Sequence, residues 1–189
     1  TTGAGGQWQV KLLSEDGSRF EVLFEGEAQG IVDWDMTGQH NVANALVTLA
    51  AARHVGVVPS MGIAALSAFK SVKRRMEVIG THDGITVYDD FAHHPTAIHT
   101  TLSGLRAKVG DARIVVAMEP RSNSMRLGAH AEALAPSLDI ADAVVFLARP
   151  ELPWDAGKVV GALKGEGHVV ADADALIARL RALARNGDH

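Results

Sequence analysis

From residue 85 onward the chain alternates short β-branched runs with amphipathic stretches long enough to be helices, and this rhythm constrains the fold more than any other feature. The strand-like runs are residues 85 to 88, 113 to 118, 142 to 147 and 168 to 171. Between and after them lie helix-like stretches at residues 95 to 109, around 129 to 138, near 157 to 163, and 173 to 184. Strands joined through helices pair in parallel and are covered by those helices, so an α/β unit with a mostly parallel, Rossmann-like sheet is expected. In the last helix Leu176, Ile177, Leu180 and Leu183 recur at helical spacing, with Arg179, Arg181 and Arg185 on other faces; that stripe is packing.

The first part of the chain has another period. Residues 7 to 35 alternate in twos: Trp8, Val10 and Leu12 share one face, Glu15-Asp16-Gly17-Ser18 makes a turn, and Phe20, Val22 and Phe24 follow, then Ile31-Val32-Asp33-Trp34. This predicts a β-meander. An Ala-rich helix over residues 40 to 54 ends at Gly56, and Pro59-Ser60 open a second helix through Ala68-Phe69. The turn signal His82-Asp83-Gly84 places a linker near residues 78 to 84, and hence two domains, 1–79 and 80–189.

Composition narrows the chemistry. A chain of 189 residues has room for one large domain or two small ones. Zero cysteines exclude disulfides, thiolate metal sites and cysteine nucleophiles, and suit a reducing cytoplasm. A net charge of -4 argues against a general nucleic-acid binder. No apolar run has the length of a membrane span and no leader pattern is present, so the chain reads as soluble and cytoplasmic. It opens Thr1-Thr2-Gly3-Ala4-Gly5-Gly6 rather than with Met, which resembles a cut point and predicts a fragment of something longer.

The densest chemistry is Asp89-Asp90-Phe91-Ala92-His93-His94-Pro95-Thr96, two carboxylates and two imidazoles between a strand and a helix that Pro95 suits as a first-turn residue. The carboxyl ends of parallel strands form the ligand crevice of such sheets. Helix capping accounts for the same residues in purely structural terms. Earlier, Gly38-Gln39-His40-Asn41-Val42-Ala43-Asn44 opens the Ala-rich helix, with His40 and Asn44 four apart on one face, where free N–H groups favour an anion or a polar ring. An Asn amide matches an adenine edge, and local capping by Asn41 and Asn44 is the equal alternative. Arg74-Arg75 before Glu77 can reach a phosphate or simply form a solvated basic patch. After the strand ending at Met118, Arg121, Ser122, Asn123 and Arg126 lie on a strand-end loop, where an arginine can fork onto a carboxylate.

Gly38-Gln39-His40-Asn41-x-x-Asn44, Arg75-x-Glu77 and Asp89-Asp90-Phe91-Ala92-His93-His94-Pro95-Thr96, in that order and spacing, resemble the Mur ligases, ATP-dependent amide ligases of peptidoglycan synthesis. The last motif resembles the branch acting on UDP-N-acetylmuramate. Glu119-Pro120-Arg121-Ser122-Asn123 and Leu152-Pro153-Trp154 resemble the members whose amine is a recycled murein peptide, L-Ala-γ-D-Glu-meso-diaminopimelate. The resemblance covers nearly the whole chain. It implies that residues 1–79 are the back half of an α/β ATPase domain and 80–189 the Rossmann-like C-terminal domain. No G-x-x-G-K-[ST] occurs, so the phosphate-cradling loop and the UDP-sugar domain are expected on missing portions of the same enzyme, and the fragment is expected to be inactive alone.

By resemblance, Asn44 is the adenine partner with His40 and Asn41 beside it, Arg75 faces the phosphates, Asp90 accepts from the ribose hydroxyls, and His93 faces the phosphates. His94, Arg121, Ser122, Asn123 and Arg126 fall on the side of the amine substrate. ATP and Mg²⁺ are the implied cofactors, UDP-N-acetylmuramate and the murein peptide the implied partners, with no nucleic acid and no membrane. Three rivals stand beside this reading: an L-alanine-adding ligase of the same branch, a metal-dependent hydrolase with Asp89, Asp90, His93 and His94 as ligands, and a non-catalytic α/β binding module.

Overall fold

Three strands, β1 (Trp8–Leu12), β2 (Arg19–Phe24) and β3 (Glu27–Asp33), form an antiparallel meander in that order in the computed structural model, which describes residues 5–189. Part of the Gly-rich opening, residues 1–4, lies outside the described residues. The alternation puts Trp8, Phe20, Val22 and Val32 on one face, where they meet Val42, Ala45, Leu46 and Leu49 of α1 (Gln39–His54) and Ile63 of α2 (Pro59–Ala68). The α1 residues recur at 42, 45, 46 and 49, one stripe of a 3.6-residue helix. Trp34 closes this core and donates its indole N–H to the Gly17 carbonyl at 3.1 Å. These elements belong to the first of two compact units, Thr1–Val72.

The second unit, Lys73–His189, is built around β7 (Ala143–Leu147), whose five residues are all buried. It lies between β6 (Val115–Met118) and β8 (Glu166–Val170) in a parallel sheet of order β6-β7-β8. A strand covered on both faces needs apolar residues at every position, and Ala-Val-Val-Phe-Leu supplies them. Val144 and Phe146 pack with Ile98, Leu102 and Leu105 of α3 (Pro95–Val109), Leu134 and Leu138 of α5 (Ala131–Leu138), and Val159 of α6 (Ala156–Gly161). Against β7 and β8 also packs α7 (Ala173–Leu183).

Several expectations are corrected. The segment read as a linker, residues 78 to 84, is a hairpin: β4 (Glu77–His82) pairs antiparallel with β5 (Ile85–Asp89) around Asp83-Gly84, and the units divide seven residues before the expected 79/80 boundary, between Val72 and Lys73. Every residue of β4 is exposed, so β4 carries no core stripe for a sequence pattern to reveal. Nor does β5 join the parallel sheet. Residues 186 to 189 lie between it and β6: the Thr86 N–H donates to the Asp188 carbonyl, the His189 N–H to Arg113, and the Val115 N–H to His189. Asp188, 4% exposed, accepts from Arg113 Nη1 and from the Arg185 N–H, both at 2.9 Å, which compensates its buried charge. A cleft of about 500 Å³, lined mainly by apolar groups such as Val87, Tyr88, Val116 and Leu180, opens beside these residues. A four-residue helix, α4 (Asn123–Arg126), also appears where only a loop was expected.

Arg106 of α3 holds the start of the sheet. It donates to the carbonyls of Gly110, Ala112 and Ile140 and, at 2.7 Å, to Asp142, whose Oδ2 also takes the Ile114 N–H at 2.8 Å. Burial pushes the Asp142 pKa up, but the Ile114 N–H and the Arg106 guanidinium outweigh it and hold the carboxyl below its ordinary value. A carboxyl with a depressed folded pKa stabilises above its unfolded pKa, and that contribution is lost as pH falls through the folded value. Asp142→Asn should therefore destabilise the second unit at neutral pH, by about 1 kcal/mol once solvent screening is allowed for, and the gap from wild type should close in acid. Hydrogen exchange of the β7 amides measures it; a gap independent of pH would refute the role of the charge.

Candidate functional site

The loop from Asp89 to Pro95 leaves β5 and enters α3, and its four ionisable groups each turn to different partners. Asp89 pairs with Arg74 at 3.3 Å. Asp90 faces inward: one carboxylate oxygen accepts the Met76 N–H at 2.9 Å, the other the Ala92 N–H at 2.8 Å and, at 3.5 Å, the Thr101 hydroxyl. His93 is exposed, its Nδ1 2.9 Å from the Phe91 carbonyl and its ring tilted on Phe91. His94 is the N-cap of α3 and accepts the Thr96 N–H through Nδ1 at 3.3 Å. An imidazole thus caps the helix, where a carboxylate is the commoner choice. Among the described residues no three His, Asp or Glu side chains are placed to share a metal ion, so the four-ligand arrangement of the hydrolase reading does not form.

Arg74, Arg75 and Met76 form a tight turn ahead of β4 that is bonded to this loop. Arg74 and Met76 both have positive φ, 60° and 50°, a conformation that costs non-glycine residues of order 1 kcal/mol each. The turn persists because both of its ends are bonded: the Arg74 carbonyl accepts the Phe91 N–H, the Arg74 N–H goes to Glu77, and the Met76 N–H goes to Asp90. The Arg74 guanidinium lies 4.8 Å over the Phe91 ring. Arg75 is exposed at the middle of the turn.

In the first unit, α1 starts at Gly38, whose φ of 94° and lack of a Cβ are both required: a Cβ there would lie 2.6 Å from the His40 ring. His40 and Asn44 are exposed one turn apart. Asn41 is committed to its own backbone, donating to the Thr37 carbonyl at 2.8 Å. Of the two asparagines, Asn41 therefore bonds locally to the backbone before the helix, and Asn44 keeps its amide at the surface.

The loops after β6 and β7 meet at the carboxyl edge of the parallel sheet. Arg121 is exposed and stands 3.6 Å from Glu119; Ser122 caps α4 by accepting the Met125 N–H at 3.4 Å; Asn123 and Arg126 are the exposed first and last residues of α4. Trp154 fixes the post-β7 loop here by donating its indole N–H to the Met125 carbonyl at 2.8 Å. Arg149 donates to Glu119 at 2.6 Å, and His130 packs edge-to-face on His94 with ring centroids 4.4 Å apart. Sequence reasoning missed Glu119, Arg149, His130 and Thr101. For Arg149 a signal existed, since it follows a buried strand as Arg121 does. Thr101 sits on the inward stripe of α3 with Ile98, Leu102 and Leu105; His130 left no signal.

Known proteins match this arrangement closely. The family model "Mur ligase, glutamate ligase domain" matches residues 74–189, more than half of the chain and nearly the whole second unit. The chain is 47% identical over 188 residues, 99% of its length, to the UDP-N-acetylmuramate--L-alanyl-gamma-D-glutamyl-meso-2,6-diaminoheptandioate ligase of Escherichia coli K12, of which it covers 41%. It is 42% identical, over 99% of its length and 42% of the other's, to the protein of the same name from Haemophilus influenzae. Among solved structures, a murein peptide ligase from Psychrobacter arcticus 273-4 superposes with a TM-score of 0.68 at 42% identity, over 97% of this chain and 40% of that one. The chain thus spans about two fifths of the length of the curated relatives it matches. Motif order, the parallel-sheet unit and these matches agree: the chain belongs to the Mur ligase family.

Proposed function

We propose that this chain is part of an ATP-dependent amide ligase that joins the carboxylate of UDP-N-acetylmuramate to the amine of a murein peptide, L-Ala-γ-D-Glu-meso-diaminopimelate, in the recycling of peptidoglycan. The observation that carries this reading is the 47% identity to the Escherichia coli ligase of that name over 99% of the chain. Residues 1–72 are then the C-terminal part of the ATP-binding domain and residues 73–189 the domain that presents the amine, with the phosphate-cradling loop and UDP-sugar domain elsewhere in the same enzyme. No helix among the described residues is long and apolar enough to cross a membrane, in keeping with a cytoplasmic enzyme.

In this reading the lactyl carboxylate takes the terminal phosphoryl group of ATP, the peptide amine attacks the acyl phosphate, and an amide forms as phosphate and a proton leave. The residues here bind and orient. Asn44 and His40 offer polar edges to the adenine. Asp90, already holding two backbone N–H groups, has further lone pairs for a ribose hydroxyl. Arg75 and His93, both exposed, face the phosphates, and Arg121 meets a peptide carboxylate, with His94, Ser122, Asn123 and Arg126 around it. Mg²⁺ accompanies ATP in this reading, and the described residues do not gather an oxygen cage for it: Asp89 is paired with Arg74 and Asp90 with backbone amides.

The intact enzyme should ligate the tripeptide far faster than free L-alanine; preference for L-alanine in a phosphate-release assay would move it to the neighbouring branch. Asp90→Asn should weaken ATP binding and also lower stability, because an amide NH₂ would then face the N–H of Met76 or Ala92. Calorimetry with the intact enzyme decides, and unchanged nucleotide affinity would leave Asp90 a purely structural residue. Arg121→Ala should raise the peptide KM by about ten-fold or more and leave the KM for ATP near wild type. A change confined to ATP would show that the residue is misplaced.

A further inference from the structure

Glu119 directly follows β6 and Arg149 lies two residues past β7, and the parallel register that sets Met118 beside Phe146 brings the two together at one edge of the sheet. Arg149 Nε donates to Glu119 Oε1 at 2.6 Å, while Arg121 Nε stands 3.6 Å from Oε2, so each carboxylate oxygen takes one guanidinium. The Glu119 side chain is 21% exposed, against 77% for Arg121 and 55% for Arg149. A sheltered carboxylate therefore presents two cations to solvent. Its closest contact with each is through Nε, which leaves the terminal NH₂ groups for a second anion. Glu119 also raises the Arg149 pKa through its hydrogen bond and charge, with a smaller contribution from Glu151.

Two guanidinium groups near each other repel, and one carboxylate between them offsets that repulsion while fixing both. The arrangement exceeds what a single substrate carboxylate requires. We propose that Glu119 is a positioning residue that holds Arg121 and Arg149 as a preassembled pair for an amine substrate bearing two or more carboxylates. This rests on the ligase reading above and deepens it: L-alanine carries one carboxylate, whereas the murein tripeptide carries several. Arg149 binds a diaminopimelate carboxylate, and Glu119 acts through the two arginines.

The test uses the intact enzyme with ATP, UDP-N-acetylmuramate and either the tripeptide or the same peptide with its diaminopimelate carboxylates converted to amides. Arg149→Gln keeps an exposed polar side chain, a shorter one, and removes its charge. It should raise the KM for the tripeptide about ten-fold, with kcat and the KM for ATP within about two-fold of wild type. On the amidated peptide, wild type and Arg149→Gln should be alike. Glu119→Gln should shift the tripeptide KM in the same direction, and Glu119→Asp should recover part of the loss. An Arg149→Gln enzyme with a wild-type tripeptide KM, or one penalised equally on both peptides, overturns the inference, as does a Glu119→Gln enzyme whose ATP KM changes as much as its peptide KM. If wild type ligates neither peptide, the ligase reading fails and takes this inference with it; if wild type is active and the variants match it, this inference alone fails.

Discussion

The Asp90 carboxylate is bonded on two sides at once, to the Met76 N–H in the turn that opens the second unit and to the Ala92 N–H in the loop that enters α3. Both peptide groups belong to segments that would not keep their shape alone. The turn holds two non-glycine residues at positive φ, and the loop has no regular hydrogen-bond ladder. Charge-assisted bonds to backbone N–H groups are stronger than neutral ones, so one side chain stabilises a strained turn and orders a loop together. Arg75, at the centre of that turn, and His93, in that loop, are placed relative to each other by this carboxylate. Arg74 adds a second tie, with its charge on Asp89 and its face on Phe91.

The fold was legible in the sequence wherever burial left a period. The meander showed as alternation at Trp8, Phe20, Val22 and Val32, the sheet centre as an unbroken apolar run, and the helices as stripes. The hairpin strand β4 was not legible, because all six of its residues are exposed and its sequence therefore carries no period. The pairing of residues 186 to 189 beside β5 was equally hidden: it rests on backbone groups and on the Arg113–Asp188 bond across 75 positions, a separation that no local pattern encodes. At the site, motifs identified the loop but not the direction of each side chain. Asp89 and Asp90 are neighbours in sequence, yet one faces an arginine and the other two amides, since adjacent residues leave a strand end on opposite sides.

Parallel pairing explains why residues far apart in sequence gather at one edge. Each strand of β6-β7-β8 ends on the same side, so the loops after β6 and β7 emerge together, and the register fixes how closely. Trp154, bonded to the Met125 carbonyl and packed where a Cβ at Gly128 would lie only 2.9 Å from its ring, then locks the second loop onto the first. The Glu119 contacts are thus supported by the sheet below and the Trp154 anchor beside them.

The ion pairs around the site share one property that bears on ligand binding. Arg74–Asp89, Arg121–Glu119 and Arg149–Glu119 each have an arginine side chain more than half exposed. Pairs of this kind are screened by water and contribute about 1 kcal/mol or less, so they leave the terminal NH₂ groups open to an anion at little cost. The same pairs still restrict where each long side chain can swing before the ligand arrives, which lowers the entropy lost on binding. Weak pairs at exposed arginines and strong bonds at inward-facing Asp90 therefore divide the work: Asp90 fixes the loop, while the arginines keep donor groups at the surface.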